Sequence, residues 1–161
     1  MTTSHAHRLH GGRARPQTIG PWRWPLASNV IRRNSLKHTF GMTRTNADGT
    51  ARPHQAWDLV DSGDYGLQIL IRQDDQHEGA PVWAFYAHLS SAAVRVGDRV
   101  APAQVIGATG ESGNARGMAA EDQHLHFEIR TEPHPGRGLS GRVSPLEIYG
   151  VCPLHAPVSD P

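Results

Sequence analysis

The chain is poor in the residues that several kinds of function require. Its 161 residues include one cysteine, Cys152, and no apolar run that could span a bilayer or form the hydrophobic region of a signal peptide. A single cysteine excludes an internal disulfide bond and a zinc cluster built from thiolates. A metal site in this chain must therefore use histidine, aspartate or glutamate, and we expect export, if it occurs, to use a route other than a signal peptide.

Residues that form turns are abundant by contrast. The chain has 17 glycines and 12 prolines, which favours short strands joined by tight turns over long helices. Its length allows one compact domain. We predict a mainly β fold, a small antiparallel sheet or partly open barrel with long loops. The predicted strands are Gly66–Arg72, Pro81–Leu89, Gln104–Gly107 and His124–Arg130, followed by a short closing helix or turn at residues 144–147.

Positive charge is concentrated at the N-terminal end. Residues 1–52 hold nine Arg or Lys and a single acid, whereas residues 53–161 hold seven Arg and fourteen acids. Such a basic lead can contact an anionic polymer, a lipid surface or nucleic acid, but most are solvated, and we expect no nucleic-acid partner because aromatic residues are not interleaved with the charges. We predict a flexible basic tail over residues 1–25. A mobile arm cannot fix a coordination geometry, so we expect no metal site from the histidines it contains, which are His5, His7 and His10.

One stretch alternates its side-chain chemistry with a period of two. It runs from His124 to Arg130, and successive side chains of a strand point to opposite faces. We therefore expect an apolar face that enters the core, and a second face that holds two imidazoles side by side over a groove. The apolar face is Leu125, Phe127 and Ile129, and the polar face is His124, His126, Glu128 and Arg130. We interpret Glu128 as a carboxylate that supports the site or lies at the surface.

A second stretch supplies partners for those histidines. His54 and Asp58 are four residues apart, which places them on one face of a strand or a helix, and imidazole with carboxylate suits a divalent ion. With His126 they would give three ligands and leave a fourth position for water, as in catalytic zinc sites. His88 and His124 then remain as imidazoles suited to proton transfer and to stabilising an oxyanion.

The position of His88 follows from the same alternation. It lies near the end of the predicted strand Pro81–Leu89, where side chains two apart share a face. We expect His88 to lie on the same face as Val82, Ala84 and Tyr86. This placement suits either a site or the rim of one.

Three other chemical interpretations fail on spacing or composition. Gly107, Gly110 and Gly113 do not have the spacing of a dinucleotide-binding loop. The segment Gly110–Gly113 is one residue short of a nucleophile elbow, and no helix is predicted beside it. The segment 96–107 looks like biotinyl and lipoyl carrier domains, which need an acceptor lysine. The one lysine of the chain, Lys37, lies outside this segment.

Several motifs follow one another in a set order: Phe40-Gly41, Arg52–Asp58, Phe85–Ser90, Val96–Val100, Gln104–Gly110 and His124–Arg130. In this order they resemble the lysostaphin-type zinc metallopeptidases that cut peptidoglycan peptides, and the resemblance covers roughly residues 40–148. It implies a metallopeptidase-like β domain at residues 26–150, followed by a C-terminal tail at 151–161. It also implies that His54, Asp58 and His126 bind Zn²⁺ and that His88 and His124 act on water and on the transition state.

The chain departs from this family at two places. Ala56 occupies the position where the family usually has glycine, which matters if the backbone there needs a positive φ. Seven residues separate Asp58 from Gly66, where the family usually has two further strands that need roughly ten to twelve residues and a turn. We therefore expect part of the sheet to be absent, and its exposed edges to need covering by a partner or by the N-terminal segment.

Two functions follow from these observations. The first is a zinc metalloendopeptidase that hydrolyses the peptide cross-links of bacterial peptidoglycan. The alternative is a catalytically impaired relative that acts as a metal-binding or cell-wall-binding module, with the absent strands as the reason. A domain kept only for binding has no need of both His88 and His124, and this favours the enzyme.

Overall fold

The computed structural model of the protein describes residues 24–26, 29–60, 65–113, 116–136 and 138–158, without the side chains of Asp58, Val60, Asp75 and Glu121. Apart from its last two residues, the predicted basic tail with its three histidines lies outside this part of the chain.

Antiparallel strands make up most of the regular structure. A two-stranded sheet pairs β1 with β2, and a six-stranded sheet has the order β3-β7-β5-β4, with β6 on β5 and β8 on β7. These sheets are not closed into a barrel, so the prediction of a small, mainly β fold is confirmed. The strands are β1 Gly41–Thr45, β2 Ala51–His54, β3 Trp57–Val60, β4 Leu67–His77, β5 Ala80–Ala92, β6 Gly107–Thr109, β7 His124–Arg130 and β8 Arg142–Val143, and the helix is α1 Pro145–Tyr149.

The predicted strands differ in how well they match. β7 has the predicted bounds, and β4 and β5 form the predicted antiparallel pair. The strand predicted at Gln104–Gly107 is wrong, because the paired residues begin at Gly107. The chain turns just before it: Ala103 has a φ of 63°, and the side chain of Gln104 accepts a hydrogen bond from the N–H of Ala101. A turn at this point leaves those residues outside the sheet.

The core lies against the apolar face of β7. Leu125, Phe127 and Ile129 are buried there, which confirms the predicted inward face. Tyr149 of α1 and Trp24 stack with a distance of 4.3 Å between ring centroids. Because burying a large side chain contributes about 1.5–3 kcal/mol, this apolar face fixes which way β7 presents its polar residues.

The segment before β1 covers the outer edge of β3. We call residues 29–40 the entry segment. Its Ile31 is fully buried and bridges Leu59 in antiparallel fashion, while the N–H of Ile31 donates to the carbonyl of Pro153. From the short connection after Asp58 we expected exposed sheet edges to be covered by a partner or by the N-terminal segment. The entry segment covers the edge of β3 in the second of these ways.

The connection from β3 to β4 is short. β3 ends at Val60 and β4 begins at Leu67, and of the residues between them the structure describes Tyr65 and Gly66. Ala56 is buried and is not among the described residues with a positive φ. Alanine therefore meets no backbone strain at this position.

Among the described residues no helix is long and apolar enough to cross a membrane.

Candidate active site

The polar face of β7 is buried as well as its apolar face. His124, His126, Glu128 and Arg130 are all less than one-tenth exposed. Charged and polar side chains reach such burial only when they are paired. This face is therefore a built site rather than a solvated strand surface.

Four histidines meet on this face. The ring centroid of His126 lies 5.9 Å from that of His54 at the end of β2 and 5.4 Å from that of His88 on β5. His88 also lies 5.7 Å from His124, centroid to centroid. Asp58, the remaining predicted site residue, is the cross-strand partner of His126. The structure thus brings together the four predicted histidines and places the backbone of Asp58 beside them.

His88 reaches the site through a β-bulge. Leu67 pairs with Leu89 and Gln68 with Ala87, so His88 is an extra residue on β5, and its φ is 75°. A bulge of this kind re-aims a side chain. The predicted sharing of a face with Val82, Ala84 and Tyr86 is therefore wrong, since Val82 and Ala84 are buried in the core whereas His88 contacts the site histidines.

A backbone carbonyl sets the orientation of His54. Its Nδ1 lies 3.0 Å from the carbonyl oxygen of Thr39 in the entry segment. A carbonyl oxygen only accepts, so Nδ1 carries the proton, and the lone pair of the neutral ring is on Nε2. That atom is buried in the site. A ring held by its other nitrogen in this way is typical of metal-binding histidines.

A carboxylate holds His126 by the opposite nitrogen. Nε2 of His126 lies 2.8 Å from Oε1 of Glu128, so Nε2 donates and the lone pair of the neutral ring is on Nδ1. Burial would raise the pKa of Glu128, but hydrogen bonds from His126 and Arg130, together with the charge of Arg130, lower that pKa to about 2. Glu128 is therefore an anion that fixes the His126 ring.

Two arginines complete the environment of Glu128. The Nε atoms of Arg130 and Arg142 donate to Oε2 at 2.7 and 2.8 Å. Arg142 also donates to the carbonyls of Gly136 and Gly138, and the guanidinium of Arg130 lies 3.5 Å from the ring centroid of Phe85. A buried carboxylate with several charged donors is rigid.

His124 is oriented by the short 3-10 turn before β7. Its Nδ1 donates to the carbonyl of Asp122 at 2.9 Å, which places the lone pair of the neutral ring on Nε2. The Asp122 carboxylate is in turn clamped by the entry segment. Arg33 donates to both of its oxygens at 2.6 Å, and Arg32 reaches it at 3.0 Å. The clamp holds the turn that presents His124.

The donor set fits a divalent metal, although the described side chains do not complete it. They contain no group of three or more His, Cys, Asp or Glu that could hold an ion, and the Asp58 side chain is not among them. His54 and His126 nevertheless carry their lone pairs on fixed ring nitrogens, and their ring centroids are 5.9 Å apart. Two oriented imidazoles with a neighbouring aspartate on β3 are a suitable donor set for zinc.

Sequence reasoning did not identify several of the supporting groups. Glu128 was visible on the polar face of β7, but its contact with Arg142 depends on the β7–β8 register, in which Arg142 pairs with Arg130. No sequence pattern indicates the role of the Thr39 carbonyl, because every residue has a backbone carbonyl. Tyr65 also has no such pattern, since it lies outside the predicted strands.

The comparison with family models gives a match at residues 45–137, to the model described as Peptidase family M23. A comparison with curated proteins found no match. The matched range includes all five predicted site residues, and it leaves the entry segment outside. Because the match covers more than half of the chain, the protein belongs to peptidase family M23, whose members are generally metallopeptidases.

Proposed function

We propose that this protein is a zinc metalloendopeptidase that hydrolyses peptide cross-links of bacterial peptidoglycan. Its membership of a peptidase family supports hydrolysis of a peptide bond. The observation that carries the proposal furthest is that His54, His126 and His124 are each buried and each held by one ring nitrogen. The fixed tautomers of His54 and His126 serve coordination, and that of His124 serves proton transfer, which a module that only binds metal or the cell wall does not need.

In this proposal His54, through Nε2, and His126, through Nδ1, hold zinc together with Asp58. When bound, zinc supplies a Lewis acid that activates a water molecule and polarises the scissile carbonyl. Glu128 keeps His126 in the tautomer that binding requires, because its carboxylate accepts a hydrogen bond from Nε2–H at 2.8 Å. Thr39 does the same for His54 through its carbonyl.

His124 and His88 handle protons and charge. Nε2 of His124 carries the lone pair of the neutral ring, so it can accept a proton from the attacking water and later give it to the leaving amine. The His88 ring lies close to both His124 and His126, with centroid distances of 5.7 and 5.4 Å. From there its ring can donate a hydrogen bond to the developing oxyanion. No glutamate is needed as a general base, since Glu128 is engaged by four donors.

The test compares two histidine variants. We expect the wild-type protein to bind zinc and to release soluble peptides from purified peptidoglycan, and His126→Ala to lose both properties. His77→Ala is the matched control, because His77 lies at the far end of β4, opposite Ala80, and contacts Glu147. The control also loses one imidazole, as His126→Ala does, but it should keep its zinc content and activity.

The outcomes separate the two functions considered. A folded wild-type protein that binds zinc but releases no peptide would favour the alternative, a catalytically impaired module that binds metal or the cell wall. A folded protein that binds no zinc would contradict both. Equal activity of His126→Ala and the control would show that the hydrolysis does not use this site.

A further inference from the structure

We propose that Tyr65 is a positioning residue of this site. The ring of Tyr65 holds His88, and its hydroxyl holds His126 through Glu128. The inference rests on the site of the proposed function and adds a residue to it. Tyr65 comes from the short connection between β3 and β4, a part of the chain for which the sequence predicted no role.

The ring of Tyr65 lies against two of the site histidines. It is nearly parallel to the His88 ring, with an interplanar angle of 11° and centroids 6.2 Å apart. Its contact with His126 is edge-on at 5.1 Å, and its contact with Phe85 is edge-on at 5.5 Å. Such geometries are favourable for aromatic pairs. The phenol ring therefore adds to the contacts that His88 makes with His124 and His126 and restricts the rotation of the His88 side chain.

The hydroxyl of Tyr65 contacts the group that orients His126. It donates to Oε1 of Glu128 at 3.2 Å, and the same oxygen accepts a hydrogen bond from Nε2–H of His126 at 2.8 Å. Because a carboxylate oxygen only accepts, the phenol O–H is the donor in this contact.

The four donors around Glu128 match what a carboxylate can accept. A carboxylate offers about four lone-pair positions, two on each oxygen. Arg130 and Arg142 use Oε2, and His126 and Tyr65 use Oε1. The Tyr65 hydroxyl therefore fills the last position, and with it the carboxylate has one orientation in which every donor is satisfied.

The backbone beside Tyr65 is pinned to the strand that carries His88. The N–H of Leu67 donates to the Oγ of Ser112 at 2.8 Å, and that hydroxyl donates to the carbonyl of Leu89 at 2.7 Å. Gly66 packs so closely on Ser112 that a Cβ would overlap its backbone. One serine thus ties the residues that follow Tyr65 to the residue that follows His88.

Two substitutions separate the roles of the hydroxyl and the ring. Tyr65→Phe removes the hydroxyl and keeps the ring, whereas Tyr65→Leu removes both. Tyr86→Phe is the matched control, because Tyr86 packs against Phe127 on the core side of the same sheet. Zinc affinity is measured by competition with a chelator, and the side-chain ¹⁵N spectrum of the metal-free protein reports the histidine tautomers.

We expect Tyr65→Phe to weaken zinc binding about tenfold, as is usual when a group that supports a metal ligand is removed, and to move the His126 nitrogen signals. Tyr65→Leu should add a change in the His88 signals and a lower kcat. Tyr86→Phe should leave zinc affinity and spectra as in the wild type.

Two results would overturn the inference. One is wild-type zinc affinity together with unchanged His126 signals in Tyr65→Phe, and the other is unchanged His88 signals in Tyr65→Leu. If the wild-type protein itself binds no zinc, the proposed function fails. The spectra of the metal-free variants then decide the role of Tyr65 by themselves.

Discussion

The buried histidines of the site differ in what holds each of them. A carbonyl of the entry segment holds His54, a carboxylate on the same strand holds His126, and a carbonyl of the preceding turn holds His124. In each case the partner accepts a hydrogen bond from one ring nitrogen and so determines which nitrogen carries the lone pair. Identical side chains thereby acquire different chemical capabilities.

Substitution of Glu128 should affect both stability and metal binding. Glu128→Gln keeps the size of the side chain but replaces one acceptor oxygen with an NH₂ group that faces donors. Arg130 is buried and the Arg142 side chain is 3% exposed, so the variant leaves buried positive charge without its carboxylate. We therefore expect a loss of about 3–5 kcal/mol in the free energy of unfolding. Urea unfolding of the metal-free protein measures it.

A charge-matched control separates this effect from the loss of any carboxylate. Glu78 is exposed in the turn between β4 and β5, so Glu78→Gln should change the free energy of unfolding by no more than about 0.5 kcal/mol. Equal unfolding midpoints for the two variants would contradict the network described around Glu128.

The bulge on β5 is the element that brings His88 into the site. Its left-handed backbone at His88 has a φ of 75°, a conformation that asparagine tolerates and that β-branched residues resist. We expect His88→Val to be about 1–2 kcal/mol less stable than His88→Asn, and both to lose hydrolytic activity. Thermal or urea unfolding of the two variants checks this difference. If His88→Val is as stable as His88→Asn, the strand is regular at this residue.

The entry segment is a second element with a measurable role. Hydrogen bonds from Arg32 and Arg33 lower the pKa of Asp122 below its ordinary value of 3.8. A carboxyl whose folded-state pKa is lowered contributes stability above its ordinary pKa and loses it as the pH falls through the lowered value. We therefore expect Asp122→Asn to be less stable than the wild type at neutral pH.

The difference between Asp122→Asn and the wild type should shrink as the pH falls below 3.8. Unfolding curves recorded across this range measure it, and the same variant should show a broadened or shifted His124 ¹⁵N signal at neutral pH. A stability difference that is independent of pH would mean that the carboxylate charge does not hold the clamp.

For the molecule as a whole, sequence pattern predicted what depends on local periodicity. Alternation gave the bounds and both faces of β7, because apolar Leu125, Phe127 and Ile129 can be buried in only one way. It failed at His88, since a bulge changes the count by one residue and leaves no composition signal. Alternation also could not predict contacts between distant parts of the chain. Examples are the contacts of the Thr39 carbonyl, of the Arg33 side chain with Asp122 and of the Tyr65 hydroxyl.

Two of the contacts in this region lie near the short connection after β3. Ile31 covers the edge at Leu59, and Tyr65 covers the site histidines. Both lie close to where the sequence predicted absent strands. The entry segment lies outside the residues that match the family model, yet it supplies groups that orient His54 and His124.

The central claim is that the site uses zinc to hydrolyse peptidoglycan peptides. The most direct measurement is the release of soluble peptides from purified peptidoglycan by the wild-type protein, first as zinc-loaded, then after chelation, and then after stoichiometric zinc is returned. We predict release by the loaded protein, loss on chelation and recovery with zinc. Release that is unaffected by chelation, or no release by a folded protein shown to contain zinc, would contradict the account.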